Sequence, residues 1–195
     1  ALTEYYKVLG ILKEIKGEYF NFEITWLYQK IFYPTNFDII IQNFKESNKR
    51  FFVIPLGIYH SDNAHANILL YDSKLNEIER FEPSGNDYPF NFNYNPNLLD
   101  FYLESYFSEK FKGCKYFKPK SYEMNIGFQT IEIIDINKKI GDPGGFCGAW
   151  SLWWVYMRIK NTDIDRKKLF LQLVKNIRRN NISFKTVIRS FSKHI

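Results

Sequence analysis

Apolar residues along this 195-residue chain recur at two different spacings, and the first third of the chain favours helices. Residues 2–16 place their apolar positions at helical intervals, which predicts a helix. Residues 22–44 continue this pattern across Pro34, and a proline interrupts a helix because it has no backbone N–H to donate. We therefore predict one helix before Pro34 and another that starts near Asn36.

Short runs of aliphatic and aromatic residues between turn residues predict strands in the middle of the chain. These runs are residues 50–59, 65–72, 77–83, 114–119 and 128–134. Helical patterns interrupt and follow the strands, over residues 95–111, over the mostly apolar residues 147–160, and in two stretches from about Thr162 and about Ser183. Consecutive strands joined by short turns predict an α+β fold with a central, mostly antiparallel sheet flanked by helices.

The composition narrows the class of protein. Hydrophobic residues make up 45% of the chain and aromatic residues 19%, which is enough for a sizeable core in one domain over residues 1–195. The chain has no run of 18 apolar residues, and its first ten residues lack the basic start and apolar core of a signal peptide. We therefore expect an intracellular protein without a membrane-spanning segment.

The net charge of +6 and the two cysteines argue against a nucleic-acid-binding protein, a disulfide-stabilised protein and a zinc protein. Most of the positive excess lies in the last third of the chain, where the solvated face of a basic helix explains it without nucleic acid. Cys114 and Cys147 do not make a disulfide framework, which fits a reducing compartment. Together with three histidines they form no cluster at zinc spacing, so we expect no metal and no cofactor.

The segment GDPGGFCGAWSLWW, residues 141–154, carries the strongest chemical signal. Cys147 opens the apolar run, so we predict this cysteine at the N-terminus of a buried helix. Unsatisfied N–H groups and the positive end of the helix dipole lower the pKa of a thiol there. Gly144, Gly145 and Gly148 allow a substrate to approach the backbone closely. Cys114 fits an ordinary packing cysteine instead.

A cysteine nucleophile needs a base, and the base needs an orienting group. His65 opens the strand 65–72 and is the better candidate than His60. Asp72 is too far along the same strand, roughly 23 Å at about 3.3 Å per residue. If residues 66–72 and 77–82 form a hairpin with Asp72 opposite Glu77, Asn67 faces Glu82 and His65 lies one diagonal step away on the same face.

The same segment predicts how the oxyanion of an acyl-transfer reaction would be stabilised. The N–H groups at the start of the Cys147 helix can donate to it. Gln129, in GFQTIE, is the best side-chain donor. The sequence thus orders a histidine, an acid, a glutamine and a cysteine along the chain.

This order resembles the ubiquitin-like-protein-specific proteases, the clan of the SUMO and adenovirus proteases (clan CE). The segment VIPLGIYHSDNAHANILLYD is similar to the region of the family's histidine, and Glu82 stands 17 residues after His65. GGFCG resembles the nucleophile turn, and RFEPSG with DPGGFCGAWSLWW resembles cysteine-protease-like proteins of large DNA viruses of protists. The resemblance covers residues 22–158 and leaves a helical C-terminal extension over about 162–195.

The resemblance implies a papain-like fold of the ubiquitin-like-protease type and assigns residue roles. Cys147 would be the nucleophile, His65 the base, Glu82 its orienting acid and Gln129 the oxyanion donor. Trp26, in TWLYQKI, would wall a channel for a Gly-Gly tail, and Gly145, Phe146 and Trp150 would bind substrate. The chain departs from the family pattern where Ala66, not Trp, follows the histidine, and where Gln129 lies 18 residues before Cys147.

These assignments imply a monomeric cysteine isopeptidase (a deubiquitinase or ubiquitin-like-modifier protease) with ubiquitin or a ubiquitin-like protein as its partner. If the protein is viral, we expect it in the host cytoplasm or nucleus. One alternative is a viral protease that cuts precursor proteins after Gly-Gly-type sites. Another is an effector-type acetyltransferase with the same triad, and a third is a binding module that has kept the fold without the activity.

Overall fold

The computed structural model describes residues 17–19, 23–60, 63–86, 94–134 and 145–193. Seven strands of these residues form one sheet: β1 (Gly17–Tyr19), β2 (Ile24–Leu27), β3 (Lys30–Phe32), β4 (Phe51–His60), β5 (Asn63–Asp72), β6 (Glu77–Phe81) and β7 (Lys115–Phe117). The strand order is β3-β2-β4-β5-β6-β7, and β1 also pairs with β4. The α+β prediction is confirmed.

The sheet is mixed, which corrects the prediction of a mostly antiparallel one. The pairs β2–β3, β4–β5 and β5–β6 are antiparallel, whereas β1–β4, β2–β4 and β6–β7 are parallel. Parallel neighbours need a crossover connection, usually a helix. One helix lies between β3 and β4 in the chain, and another lies between β6 and β7. The sequence pattern showed these helices but not which strands they would join.

Helices cover both faces of the sheet. The described helices are α1 (Phe37–Glu46), α2 (Pro96–Lys110), α3 (Phe128–Ile134), α4 (Cys147–Lys160), α5 (Arg166–Arg179) and α6 (Phe184–Lys193). Strand β5 divides the two hydrophobic cores, because successive side chains of a strand point to opposite faces. Leu69 and Tyr71 join the core under α1 and α2, whereas Ile68 and Leu70 join the core under α3 to α6.

Most of the predicted elements are present. The strands expected at 50–59, 65–72, 77–83 and 114–119 correspond to β4, β5, β6 and β7. Helix α2 begins with Asn95, whose side chain accepts a hydrogen bond from the N–H of Leu98 (3.0 Å), and Pro96 occupies its first turn. Helix α4 begins at Cys147, as expected. The helix expected at 2–16 lies outside the described residues.

Two local predictions were wrong. The segment before Pro34 forms the β2–β3 hairpin and not a helix, and Ile24 and Trp26 are the deeply buried positions of β2, two residues apart. Its turn, Tyr28 and Gln29, has positive φ at both residues without glycine or asparagine, so the usual turn signal is missing. Residues 128–134 form helix α3 and not a strand, and they bury Phe128 and Glu132 at helical spacing.

Candidate active site

Cys147 is the first residue of α4, and as a residue it is partly exposed. The rest of the helix buries Trp150, Trp154 and Val155 in the core, so the core fixes the axis of α4. No described side chain caps its N-terminus, where Phe146 is the N-cap residue. The N–H groups of the first turn therefore present their positive end to the thiol.

His65 lies near the start of β5, on the strand that packs against α4. Its side chain is 4% exposed, and its Nε2 atom is 2.5 Å from Oε1 of Glu82. His65 also forms a side-chain hydrogen bond with Cys147. Because Nε2 faces Glu82, the Nδ1 atom is the one left for the thiol. The structure thus joins the cysteine, the histidine and the acid in one chain of contacts.

The hairpin of β5 and β6 has the register that the sequence argument assumed. Asp72 pairs with Glu77 and Ile68 pairs with Phe81, which brings Asn67 opposite Glu82, the residue that follows β6. Asn67 donates from Nδ2 to Oε2 of Glu82 at 2.9 Å. The predicted placement of His65 and Glu82 on one face is therefore confirmed.

Glu82 is 2% exposed, and both of its carboxylate oxygens are hydrogen-bonded. Oε1 accepts from the backbone N–H of Ser84 at 3.0 Å as well as facing His65. Oε2 accepts from the hydroxyl of Tyr94 at 2.8 Å as well as from Asn67. A buried carboxylate with a full set of donors stays ionised and holds one orientation.

Arg80 and Asp100 form a second layer behind Glu82. Arg80 is 1% exposed and contacts Asp100 through two hydrogen bonds, Nε to Oδ1 at 2.7 Å and Nη2 to Oδ2 at 3.0 Å. Its Nη1 donates to Oδ1 of Asn67 at 2.5 Å and lies 3.9 Å from Oε2 of Glu82. Sequence reasoning missed these residues and Tyr94. The charged position inside apolar β6 was a signal that could have found Arg80.

The electrostatics of the three groups favour a thiolate beside an imidazolium. Burial alone would lower the pKa of His65, but the charge of Glu82 and the contacts with Cys147 raise it to about 10. Burial opposes ionisation of Cys147, yet the hydrogen bond and charge of His65, with backbone hydrogen bonds from Ala66 and Gly148, lower its pKa. Burial likewise opposes ionisation of Glu82, but His65 keeps the pKa of this carboxyl below its ordinary value.

Gln129 lies beside the nucleophile turn despite its distance in sequence. A Cβ atom on Gly145 would stand 2.5 Å from Nε2 of Gln129, so this amide rests against the backbone two residues before Cys147. Gln129 is 6% exposed, and its Oε1 atom has no hydrogen-bond partner among the described residues. A side chain at position 145 would therefore displace the amide of Gln129. The structure therefore places Gln129 next to the turn that carries the thiol.

The other predicted substrate residues have different surroundings. Trp26 is 1% exposed and packs in the core under α1 and α2, 6.3 Å from the ring of Tyr102, so it offers no open face to a channel. Trp150 is fully buried, with its ring 5.3 Å from that of Phe128. Phe146 and Gly145 are partly exposed beside the thiol. Gly144 lies outside the described residues.

The described part of the chain shows neither a membrane-spanning helix nor a cluster of metal ligands. No helix there is long and apolar enough to cross a bilayer. Across the same residues, His, Cys, Asp and Glu side chains form no group of three or more that could hold a metal ion.

Comparison with known proteins gives a different family context from the one that the motifs implied. No family model matches the chain. The chain is similar to the putative ankyrin repeat protein L371 of Acanthamoeba polyphaga mimivirus, with 45% identity over 204 residues. The alignment covers 100% of this chain and 27% of the relative. The chain therefore spans about a quarter of the length of the curated relative that it matches.

This comparison corrects the family assignment. The relative bears an ankyrin-repeat name, and neither that name nor a family model supports membership of the ubiquitin-like-protein-specific proteases. The isopeptidase function was wrong on this ground, together with its precursor-protease and acetyltransferase alternatives and the protease and hydrolase classes that they implied. The intracellular location, the monomeric state, the ubiquitin-like partner and the single-domain division stay predictions.

The relative's name does not describe the fold of this chain. Ankyrin repeats stack pairs of helices at a period of about 33 residues. The described residues form a seven-stranded sheet with helices on both faces. A functional account of this chain therefore has to start from its own site.

Proposed function

We propose that this domain is a thiol-dependent enzyme that forms a thioester intermediate with a carbonyl substrate. The observation that carries the proposal is the continuous contact of Cys147, His65 and Glu82 at the start of a buried helix. We also propose that the fold is papain-like. A nucleophile at the tip of a core helix, facing a histidine on the adjacent sheet, is a papain-like arrangement, and such arrangements recur on unrelated folds.

The burial of this cluster argues against a purely structural role. Taking ionised groups out of water costs several kcal/mol each, and apolar residues of similar size often stabilise a core better. His65 and Glu82 are almost fully buried, and the arrangement lowers the pKa of Cys147. A perturbed thiol with a histidine and an oriented acid is the pattern expected of a catalytic site.

In the first half of the reaction the Cys147 thiolate attacks the carbonyl carbon and a C–S bond forms. The carbonyl oxygen becomes an oxyanion, and the N–H groups at the start of α4 and the Nε2 amide of Gln129 are the available donors. When the tetrahedral intermediate collapses, the bond to the leaving group breaks. The His65 imidazolium gives its proton to that group, which leaves a thioester on Cys147 and a neutral imidazole.

In the second half an acceptor nucleophile attacks the thioester. His65 takes the proton from this acceptor through the same ring nitrogen, while Glu82 stabilises the imidazolium that forms. The C–S bond breaks, the acyl group stays on the acceptor, and the thiolate returns beside the imidazolium. Glu82 remains ionised throughout because its four partners hold it as a carboxylate.

The direct test is acetylation by p-nitrophenyl acetate, which needs no knowledge of the natural substrate. We expect release of nitrophenol with an acetyl group trapped on Cys147 after an acid quench, measured by mass spectrometry of peptides. Cys147→Ala should lower the rate at least about a thousandfold, since removal of a nucleophile leaves only residual catalysis. Cys114→Ala is the matched control and should leave the rate unchanged.

Two results would contradict the proposal. One is an acetyl group that is distributed over lysines or Cys114 with none on Cys147. The other is turnover in the Cys147→Ala protein equal to that of the wild type.

A further inference from the structure

The carboxylate of Glu82 sits on a segment without regular structure, yet it must meet His65 at hydrogen-bond distance. β6 ends at Phe81, and residues 82–86 form turns and bends. The hydrogen-bond partners of Glu82 fix its two carboxylate oxygens. They do not fix the backbone of residues 82–86, which needs other contacts. A buried backbone N–H needs an acceptor, and the end of a strand no longer provides one.

Residues 122–130 hold the backbone of this segment from the other side. The N–H of Gly127 donates to the carbonyl of Ser84 at 2.8 Å, and the N–H of Gln129 donates to the carbonyl of Pro83 at 2.9 Å. The hydroxyl of Thr130 also donates to the carbonyl of Ser84, at 2.8 Å. The segment with the catalytic carboxylate and the segment with Gln129 are therefore joined backbone to backbone.

Glu123 makes the contact nearest to the carboxylate. Its Oε1 atom accepts the backbone N–H of Glu82 at 3.0 Å, across 41 residues of sequence. Glu123 is 7% exposed, and its Oε2 atom has no hydrogen-bond partner in the described part of the chain. A carboxyl that uses one oxygen as an acceptor and leaves the other unpaired is not an ion-pair partner.

We propose that Glu123 is a positioning residue, a buried carboxyl that fixes the backbone of Glu82 and thereby the orientation of the acid against His65. The inference rests on the proposed function, since its consequence is the reactivity of Cys147. Glu123 touches no reacting atom and acts only through Glu82.

The charges around Glu123 require it to be neutral in this role. The titratable and charged groups that face it are Glu82 and Arg80 from β6 and its end, and Tyr122 from its own segment. Burial and the negative charge of Glu82 raise the pKa of Glu123 well above its ordinary value, although the N–H of Glu82 and Arg80 act against this. An ionised Glu123 would repel the Glu82 carboxylate, whereas a protonated one still accepts the N–H.

The test compares Glu123→Gln with Glu123→Leu in the full chain. Glutamine keeps a neutral oxygen acceptor, so we expect near wild-type turnover of p-nitrophenyl acetate and an unchanged pH profile for alkylation of Cys147 by iodoacetamide. Leucine has similar size but no acceptor. We expect it to lower kcat by about tenfold to a hundredfold, as a small misplacement of a catalytic group does, and to move the acid limb of alkylation to higher pH.

Glu123→Asp separates loss of positioning from loss of folding. Its shorter side chain keeps a carboxyl group but no longer reaches the N–H of Glu82. It should behave like the leucine variant at a melting temperature closer to that of the wild type. An unshifted acid limb in both variants overturns the inference, as does a glutamine variant as impaired as leucine. A wild-type protein that is not acetylated on Cys147 would overturn the proposed function instead, so the two failures are distinguishable.

Discussion

The two cysteines of this chain lie in opposite chemical surroundings, although both are partly exposed. Cys114 precedes β7, its thiol is 3.7 Å from the carbonyl oxygen of Lys115, and burial raises its pKa to about 11. Cys147 starts a helix and contacts His65, which together with backbone hydrogen bonds lowers its pKa despite burial. Exposure therefore does not decide the pKa of these two thiols, whereas the charged partner and the backbone donors do.

After loss of the nucleophile itself, the largest expected effect comes from removing the charge of the acid beside His65. Glu82→Gln keeps the shape of the side chain but removes the charge that favours the His65 imidazolium. We expect turnover of p-nitrophenyl acetate to fall by about a hundredfold or more, since general acid–base catalysis is commonly worth that factor. Glu104→Gln, on the exposed side of α2, is the matched control and should have no effect. Equal rates in the two variants would remove Glu82 from the mechanism.

The next prediction compares the alkylation rates of the two cysteines within one molecule. At pH 7 a thiol with a pKa near 11 is ionised to only about one part in ten thousand. A lower pKa raises the thiolate fraction of Cys147, while the reduced nucleophilicity of a more acidic thiol offsets part of that gain. We expect iodoacetamide to modify Cys147 at least about tenfold faster than Cys114, as measured by peptide mass spectrometry over time. Similar alkylation rates would show that the surroundings of Cys147 do not activate its thiol.

The pH dependence of turnover sharpens the role of His65. Its pKa is raised to about 10, so the proton that it gives to the leaving group is present below that pH and lost above it. Turnover of an anilide such as p-nitroacetanilide, whose amine must be protonated to leave, should therefore fall about tenfold per pH unit above pH 10, after correction for spontaneous hydrolysis. Alkylation of Cys147 should not fall there, because it needs the thiolate and no proton donor. A parallel fall of both rates would contradict this division of roles.

The smallest effect concerns the unreactive cysteine. Cys114 packs at the edge of the core under α1 and α2. Cys114→Ala removes one partly buried sulfur, which should cost about 1 kcal/mol or less in the free energy of unfolding. Urea denaturation measures this, and the activity of the variant should match the wild type. A loss of activity with intact stability would assign Cys114 a role that its surroundings do not suggest.

Local patterns predicted the parts of the site that depend on local geometry. The pairing of Asp72 with Glu77 follows from a short turn, and the contact of His65 with Glu82 follows from that pairing because the side-chain period of a strand is two. The start of α4 at Cys147 follows from the change from glycines to a continuous apolar run. These residues are close in sequence or belong to one hairpin.

Other parts depend on tertiary contacts that a local pattern does not contain. Glu123 meets Glu82 across 41 residues, and Arg80 meets Asp100 across 20. Residues 128–134 had a strand-like pattern but form a helix. The contact between Gln129 of this helix and Gly145 joins two segments that are 16 residues apart in sequence. The motif resemblance also assigned the wrong family, because similar catalytic constellations recur on unrelated folds.

The most direct test of the central claim is an ultraviolet titration of the thiolate at Cys147. The absorbance of the Cys147→Ala protein is subtracted from that of the wild type at each pH, so that Cys114 and the tyrosines cancel. The account predicts that the difference signal appears below the ordinary range of a thiol, about pH 8.5 to 9, and that Glu82→Gln moves it to higher pH. A difference signal that appears only at pH 9 or above, as expected for Cys114, would contradict it.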